Sequence, residues 1–226
     1  MARLYLSFMY AIDFYLGSEI GLWFIKNEKF LENDRFFTKD EQILKAMECR
    51  KIIGGLGENP VRAISVHWPH KFDIQTIEKY EYFFNIHPGY LPLGRGTYPI
   101  FWSIYLNQTA GVSVHQITSK IDYGPILTRS IIPFGENESA GELWSKVFKL
   151  EKQMLRETVK KLRADTSIHL NSYPNEKVGQ NRKKIEFEKL RDQPNFELLK
   201  DSEINRLILA LTHPKFDLPN WARDRK

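Results

Sequence analysis

Apolar positions along this chain fall into two periods. Short runs read as strands: Leu4–Phe8, extending to Met9, then Val61–Val66, Tyr82–Phe84, Val112–Ile117 and Ile126–Ile132. Longer stretches carry apolar residues at helical spacing. Asp13–Lys26 does so through Phe14, Leu16, Ile20, Trp23 and Phe24, and Thr38–Lys51 follows with Thr38 as N-cap and Glu41 three residues on. Lys51–Gly55 reads as a short strand or turn, and Ile74–Tyr82 as a short helix. Tyr98–Leu106 has Pro99 in its first turn, and Ser139–Leu162 opens on a Ser139/Glu142 capping-box pattern. Strands alternating with helices predict an α/β fold with a mostly parallel, Rossmann-like sheet flanked by helices.

Around Ala164 the pattern changes. Polar, turn-rich residues follow, among them Asn171, Pro174, Gly179 and Asn181. Short runs at Ile168–Leu170 and Lys184–Phe187 predict a hairpin, and Asp201–Leu211, with Ser202 close to its start, a helix. A boundary near residue 165 is expected, dividing a main domain, 1–165, from a small strand/hairpin-and-helix module, 166–226.

The chain has 226 residues and 42% hydrophobic content, enough for one sizeable core. A single cysteine, Cys49, excludes an internal disulfide framework and fits a reducing compartment; an ordinary thiol on an apolar helix face is expected. No run is apolar and long enough to cross a bilayer. Met1–Gly21 carries Asp13 and Glu19 and lacks a basic-then-apolar layout, which argues against a signal peptide. A cytoplasmic protein without a membrane partner is expected. The net charge of +5 suits nucleic acid or a small anionic substrate. The basic residues are dispersed apart from Arg182-Lys183-Lys184, which reads as a solvated turn, so no nucleic-acid partner is expected. His67, His70 and His115 lack zinc-site spacing, and no metal is expected.

Candidate chemistry concentrates in Asn85-Ile86-His87-Pro88-Gly89-Tyr90-Leu91-Pro92, with Asp122-Tyr123-Gly124 downstream. Asn85 and His87 are two apart, so on a strand they point to one side, roughly 6.6 Å apart along it. Gly and Pro then break the strand, at the carboxyl edge where open α/β sheets place their sites.

The ordered set Asn85, His87, Pro88, Leu91, Pro92, Arg95, Gly96, Asp122 and Gly124 resembles the 10-formyltetrahydrofolate-dependent formyltransferase family, from about Ile64 to Arg129. The resemblance implies a Rossmann-like formyltransferase core. It implies catalysis by Asn85, His87 and Asp122: two groups serving the oxyanion and proton transfer, and a carboxylate orienting His87 and meeting the folate. It also implies folate contacts at Trp68, Pro69, Ile117, Tyr123 and Gly124, and an amine pocket shaped by Tyr90, Arg95 and Tyr98. Gly89 departs from the Ser that many relatives carry there. The tail, from Arg206 to Pro214 and on to Phe216 and Trp221, resembles the nucleotide-sugar branch of the family. That resemblance implies a dimerising C-terminal module, a homodimer, and a dTDP- or GDP-linked amino sugar as substrate. The commonest of these is dTDP-4-amino-4,6-dideoxyglucose, formylated for O-antigen or other surface glycan assembly. Phe216 or Trp221 would stack on the base. A formyltransferase for another amine, of the glycinamide ribonucleotide kind, and a non-catalytic folate- or nucleotide-binding module are the alternatives.

Overall fold

Six strands pair into one sheet in a computed structural model that describes residues 9–52, 60–164, 167–173, 176, 178–214 and 217–223. The strands are β1 (Asp13–Leu16), β2 (Arg35–Phe37), β3 (Arg62–Val66), β4 (Tyr82–His87), β5 (Ala110–Gln116) and β6 (Ile126–Ile132). Their order is β2-β1-β3-β4-β5-β6. The first four run parallel; β5 is antiparallel to β4, and β6 to β5. The helices are α1 (Ser18–Asn27), α2 (Glu41–Cys49), α3 (Ile74–Glu78), α4 (Pro99–Tyr105), α5 (Ala140–Arg163), α6 (Lys184–Asp192), α7 (Asp201–Leu211) and α8 (Asn220–Arg223). The result is a mixed-sheet, Rossmann-like α/β fold.

Period two along the central strands splits the core. Phe14, Ile64, Phe84 and Ile86 join the main cluster, with Leu143, Val147, Met154 and Leu155 of α5. Tyr15, Ala63 and Phe83 point to the other face, in a smaller cluster with Tyr80 and the half-buried Trp68, Phe72 and Ile117. Asn85 and His87 share the parity of Phe83, so they stand on the face with the smaller cluster.

Several expectations need correction. Asp13–Leu16 is a strand, because a central parallel strand is buried on both faces and so shows no polar/apolar alternation. The helix begins only at Ser18, after Gly17, where a Cβ would lie 2.4 Å from the His67 carbonyl oxygen. Leu4–Phe8 and Ile53–Gly55 lie outside the described residues. Asp40, not Thr38, caps α2: its Oδ1 accepts from the N–H groups of Gln42 and Ile43, at 2.9 and 3.1 Å. Cys49 is exposed at the end of that helix. Ser139 does cap α5, with the reciprocal Glu142 bond.

The expected hairpin is absent among the described residues. Lys184–Asp192 is a helix with Phe187 buried and Ile185 65% exposed, so the apparent Ile185/Phe187 alternation was one turn of an amphipathic helix. Phe187 packs on Tyr98 and Phe101, with ring centroids 4.3 and 4.9 Å apart. Near Ile168–Leu170 a single bridge joins Asn171 to Ile126. α7 packs against α4, and Leu207, Ala210 and Leu211 enter the main core. Among the described residues no helix is long and apolar enough to cross a membrane.

Candidate active site

β4 delivers Asn85 and His87 to the carboxyl edge of the sheet. The turn beyond is tightly constrained. His87 Nε2 lies 2.6 Å from the Gly94 carbonyl, which accepts, so Nε2 carries a hydrogen and the neutral ring presents its lone pair at Nδ1. Gly89 permits this closure: a Cβ there would stand 2.4 Å from the Gly94 oxygen and 2.6 Å from His87 Nε2. Ser113 Oγ donates to the Gly89 carbonyl and accepts from the Leu91 N–H, each at 2.9 Å.

The β5–β6 connection supplies Asp122 in a left-handed conformation, φ 52°. Arg95 holds this loop through backbone, with Nε donating to the Asp122 carbonyl at 3.0 Å and Nη2 to that of Ile121 at 2.9 Å. The Asp122 carboxylate is buried. Oδ2 accepts the Gly96 N–H at 2.9 Å; Oδ1 faces His87 Nδ1 at 3.8 Å and His115 Nε2 at 3.5 Å. Burial pushes the Asp122 pKa up, but the charge of His87, the His115 contacts and the Gly96 N–H outweigh it and hold the carboxyl well below the ordinary range.

His115 is a site residue to which the sequence reading gives no role in the site. It stands opposite Asn85 in the β4–β5 ladder. Its Nδ1 donates to the Gln116 carbonyl at 3.0 Å, and its Nε2 stands 3.3 Å from Asn85 Nδ2 and 3.5 Å from Asp122 Oδ1. No spacing in the sequence announces this pair, because it depends on the register of two antiparallel strands.

Asn85, His87, His115 and Asp122 line a cavity of about 660 Å³. Trp68, Pro69, Ile117 and Tyr98 also line it. The other candidates among the described residues do not. Tyr90 lies under the Arg129 guanidinium at 4.7 Å. Arg95 is spent on the Asp122 loop and on the ring of Tyr123, 4.5 Å away. Gly124 supports the loop instead: a Cβ there would stand 1.8 Å from the Gln116 oxygen. Trp221 donates Nε1–H to the Arg191 carbonyl at 2.7 Å and packs on Phe196. Phe216 lies outside the described residues. Arg182-Lys183-Lys184, expected as a solvated turn, borders the cavity.

A carboxylate, two imidazoles and an amide thus meet at the end of a Rossmann-like strand, and comparison with known proteins shows what the chain is similar to. Residues 73–159 match the family model described as formyl transferase. It is similar to the dTDP-4-amino-4,6-dideoxyglucose formyltransferase of Mycobacterium tuberculosis, with 30% identity over 132 residues, 58% of this chain and 55% of that protein. The chain thus spans about half the length of the curated relatives it first matches. Its fold is shared with a 4-N formyltransferase from Francisella tularensis, with TM-score 0.75, 17% identity, and coverage of 93% of this chain and 91% of that one. It is also shared with a sugar 3N-formyl transferase, WlaRD, solved in the presence of dTDP and 5-N-formyl-THF, with TM-score 0.69, 19% identity, and coverage of 93% and 82%.

Proposed function

We propose that this protein is an N-formyltransferase that moves a formyl group from 10-formyltetrahydrofolate to the amine of a nucleotide-linked amino sugar. The observation that carries this reading is the convergence of Asn85, His87 and Asp122 on one cavity, within a formyl transferase domain. dTDP-4-amino-4,6-dideoxyglucose is the substrate proposed, supported by the 30% identical relative named for that sugar.

The folate donor supplies the formyl carbon; the half-buried Trp68, Phe72 and Ile117 offer a flat apolar wall suited to its ring. Asn85 has a second amide hydrogen beyond the one aimed at His115, and donates it to the formyl oxygen as negative charge builds there. One such donor contributes roughly 2.7–4 kcal/mol where measured in other enzymes. His87, its Nε2–H committed to Gly94, takes the proton lost by the attacking amine at Nδ1 and returns it to N10 of the folate as the formyl carbon–N10 bond breaks and tetrahydrofolate leaves. Asp122, ionised and facing that atom, stabilises the imidazolium that results. His115 holds the Asn85 amide in place.

We further propose that residues 166–226 form a dimerisation module of a cytoplasmic homodimer. Support comes from the sheet ending at β6 and from the exposed Leu198 and Ile185 beyond it. Light scattering tests the oligomeric state.

The reaction is tested by mass spectrometry of dTDP- and GDP-linked amino sugars incubated with 10-formyltetrahydrofolate and the protein, with His87→Ala alongside. A formyl adduct on one sugar, lost in the variant, supports the reading. No adduct on any sugar overturns it.

A further inference from the structure

We infer that the strap Arg182-Lys183-Lys184 seats the diphosphate of the nucleotide substrate, an inference that rests on the formyl-transfer reading above. The strap is not a free surface turn. Arg182 N–H donates to the Arg95 carbonyl at 3.2 Å, and the Thr97 N–H donates to the Arg182 carbonyl at 2.8 Å. Between them lies Gly96, φ 90°, where a Cβ would stand 2.2 Å from the Arg182 oxygen. The same Gly96 gives its N–H to Asp122. One residue therefore fixes both the site carboxylate and the basic strap.

Charge points the same way. Five lining residues are Lys or Arg: Lys71, Lys120 and the three of the strap. A single acid, Asp122, lines the same space, and its charge is engaged by His87, His115 and Gly96. The strap has local counter-charges in Glu186, 3.3 Å from Arg182, and Glu188, 3.4 Å from Lys184. Both pairs are solvent-accessible, and such pairs hold weakly enough to exchange for a phosphate. Glu186 also takes the Lys183 N–H at 2.6 Å, so the start of α6 is already capped and the attraction comes from the side chains.

The carboxylates of a folate tail are the other anionic source available at this cavity. The strap adjoins Gly96 and Thr97, whereas the apolar wall proposed for the folate ring belongs to Trp68, Phe72 and Ile117. That separation favours the nucleotide.

The test titrates dTDP, and separately folinic acid, into the wild-type chain and into Lys183→Glu/Lys184→Glu, at low salt and at about 0.15 M. Both lysines are exposed, and thermal melting checks that the variant is folded. Expected are dTDP binding weakened by about tenfold or more in the variant, a steeper salt dependence in the wild type, and folinic acid binding unchanged. Competition by inorganic pyrophosphate assigns the loss to the diphosphate. Unchanged dTDP binding, or weakened folinic acid binding instead, overturns the inference. Wild-type chain that binds folinic acid but not dTDP overturns it alone; wild-type chain that binds neither takes the formyl-transfer reading with it.

Discussion

Asn85 and His115 face each other across the β4–β5 ladder, with the amide nitrogen 3.3 Å from His115 Nε2. The pair makes His115 a positioning residue for the amide proposed to meet the formyl oxygen. His115→Ala is expected to lower kcat on the order of 10²-fold, the scale of an ångström of misplacement, with little change in the folate KM. His115→Asn, which keeps a short polar side chain opposite Asn85, should recover part of the loss. Steady-state kinetics of both variants would decide it; a wild-type kcat in His115→Ala would refute the role.

Asp122 gives the pH dependence. Its carboxyl is held below the ordinary range in the folded protein, despite burial, by His87, His115 and the Gly96 N–H. An unfolded Asp titrates near about 3.9. The carboxylate therefore contributes stability that is full above about pH 5 and is lost as pH falls below about 4 toward the folded value. Asp122→Asn should be less stable than wild type at neutral pH, by on the order of 2 kcal/mol, with the gap narrowing at pH 3 or so. Urea denaturation at the two pH values measures this. A gap that is constant with pH would mean that the ionised form is not what the fold selects.

How much of this is legible in the sequence depends on range. Asn85 and His87 were placed by strand period alone, and α5 by its cap and its apolar stripe. Gly17 and Gly89 look ordinary in sequence; their necessity comes from a carbonyl brought against them from a distant or folded-back segment. The same holds for His115, whose partner is 30 residues away, and for Arg182, whose backbone meets Gly96. In β1 full burial erases alternation, and in α6 a few residues of a helix mimic it. Trp221 was assigned on chemical type, and an indole serves a loop carbonyl as readily as a ligand.

The departure at Gly89 follows from the same closure. Gly89→Ser would put a Cβ within 2.6 Å of both the Gly94 oxygen and the His87 ring, neither of them the end of a flexible chain. The turn must open, and the cost of such overpacking is about 1–3 kcal/mol. Because His87 is one of the groups displaced, formyl transfer should fall further than stability alone explains. A Gly89→Ser variant with wild-type stability and kcat would show that the turn accommodates a side chain as it stands.

Glu151 is fully buried in the middle of α5, with Oε1 2.6 Å from His67 Nε2, while its Oε2 has no hydrogen-bond partner among the described residues. His67 in turn meets Ser18 Oγ at 3.0 Å through Nδ1 and sits in a left-handed conformation, φ 51°. This chain of contacts ties the start of α1 and the loop bearing Trp68 and Pro69 to the main core helix. Burying a carboxylate is costly, and cutting its contact leaves the His67 ring held only through Ser18. Glu151→Ala is expected to lose about 3–5 kcal/mol of stability, whereas Glu151→Gln, which keeps an acceptor for His67, should lose much less. Since the Trp68 loop forms the proposed folate wall, Glu151→Gln should show its remaining defect as a raised folate KM with kcat nearly intact. Denaturation and kinetics of the two variants separate the effects. Equal stability losses in both would mean that the charge itself, rather than the hydrogen bond to His67, is what α5 supplies.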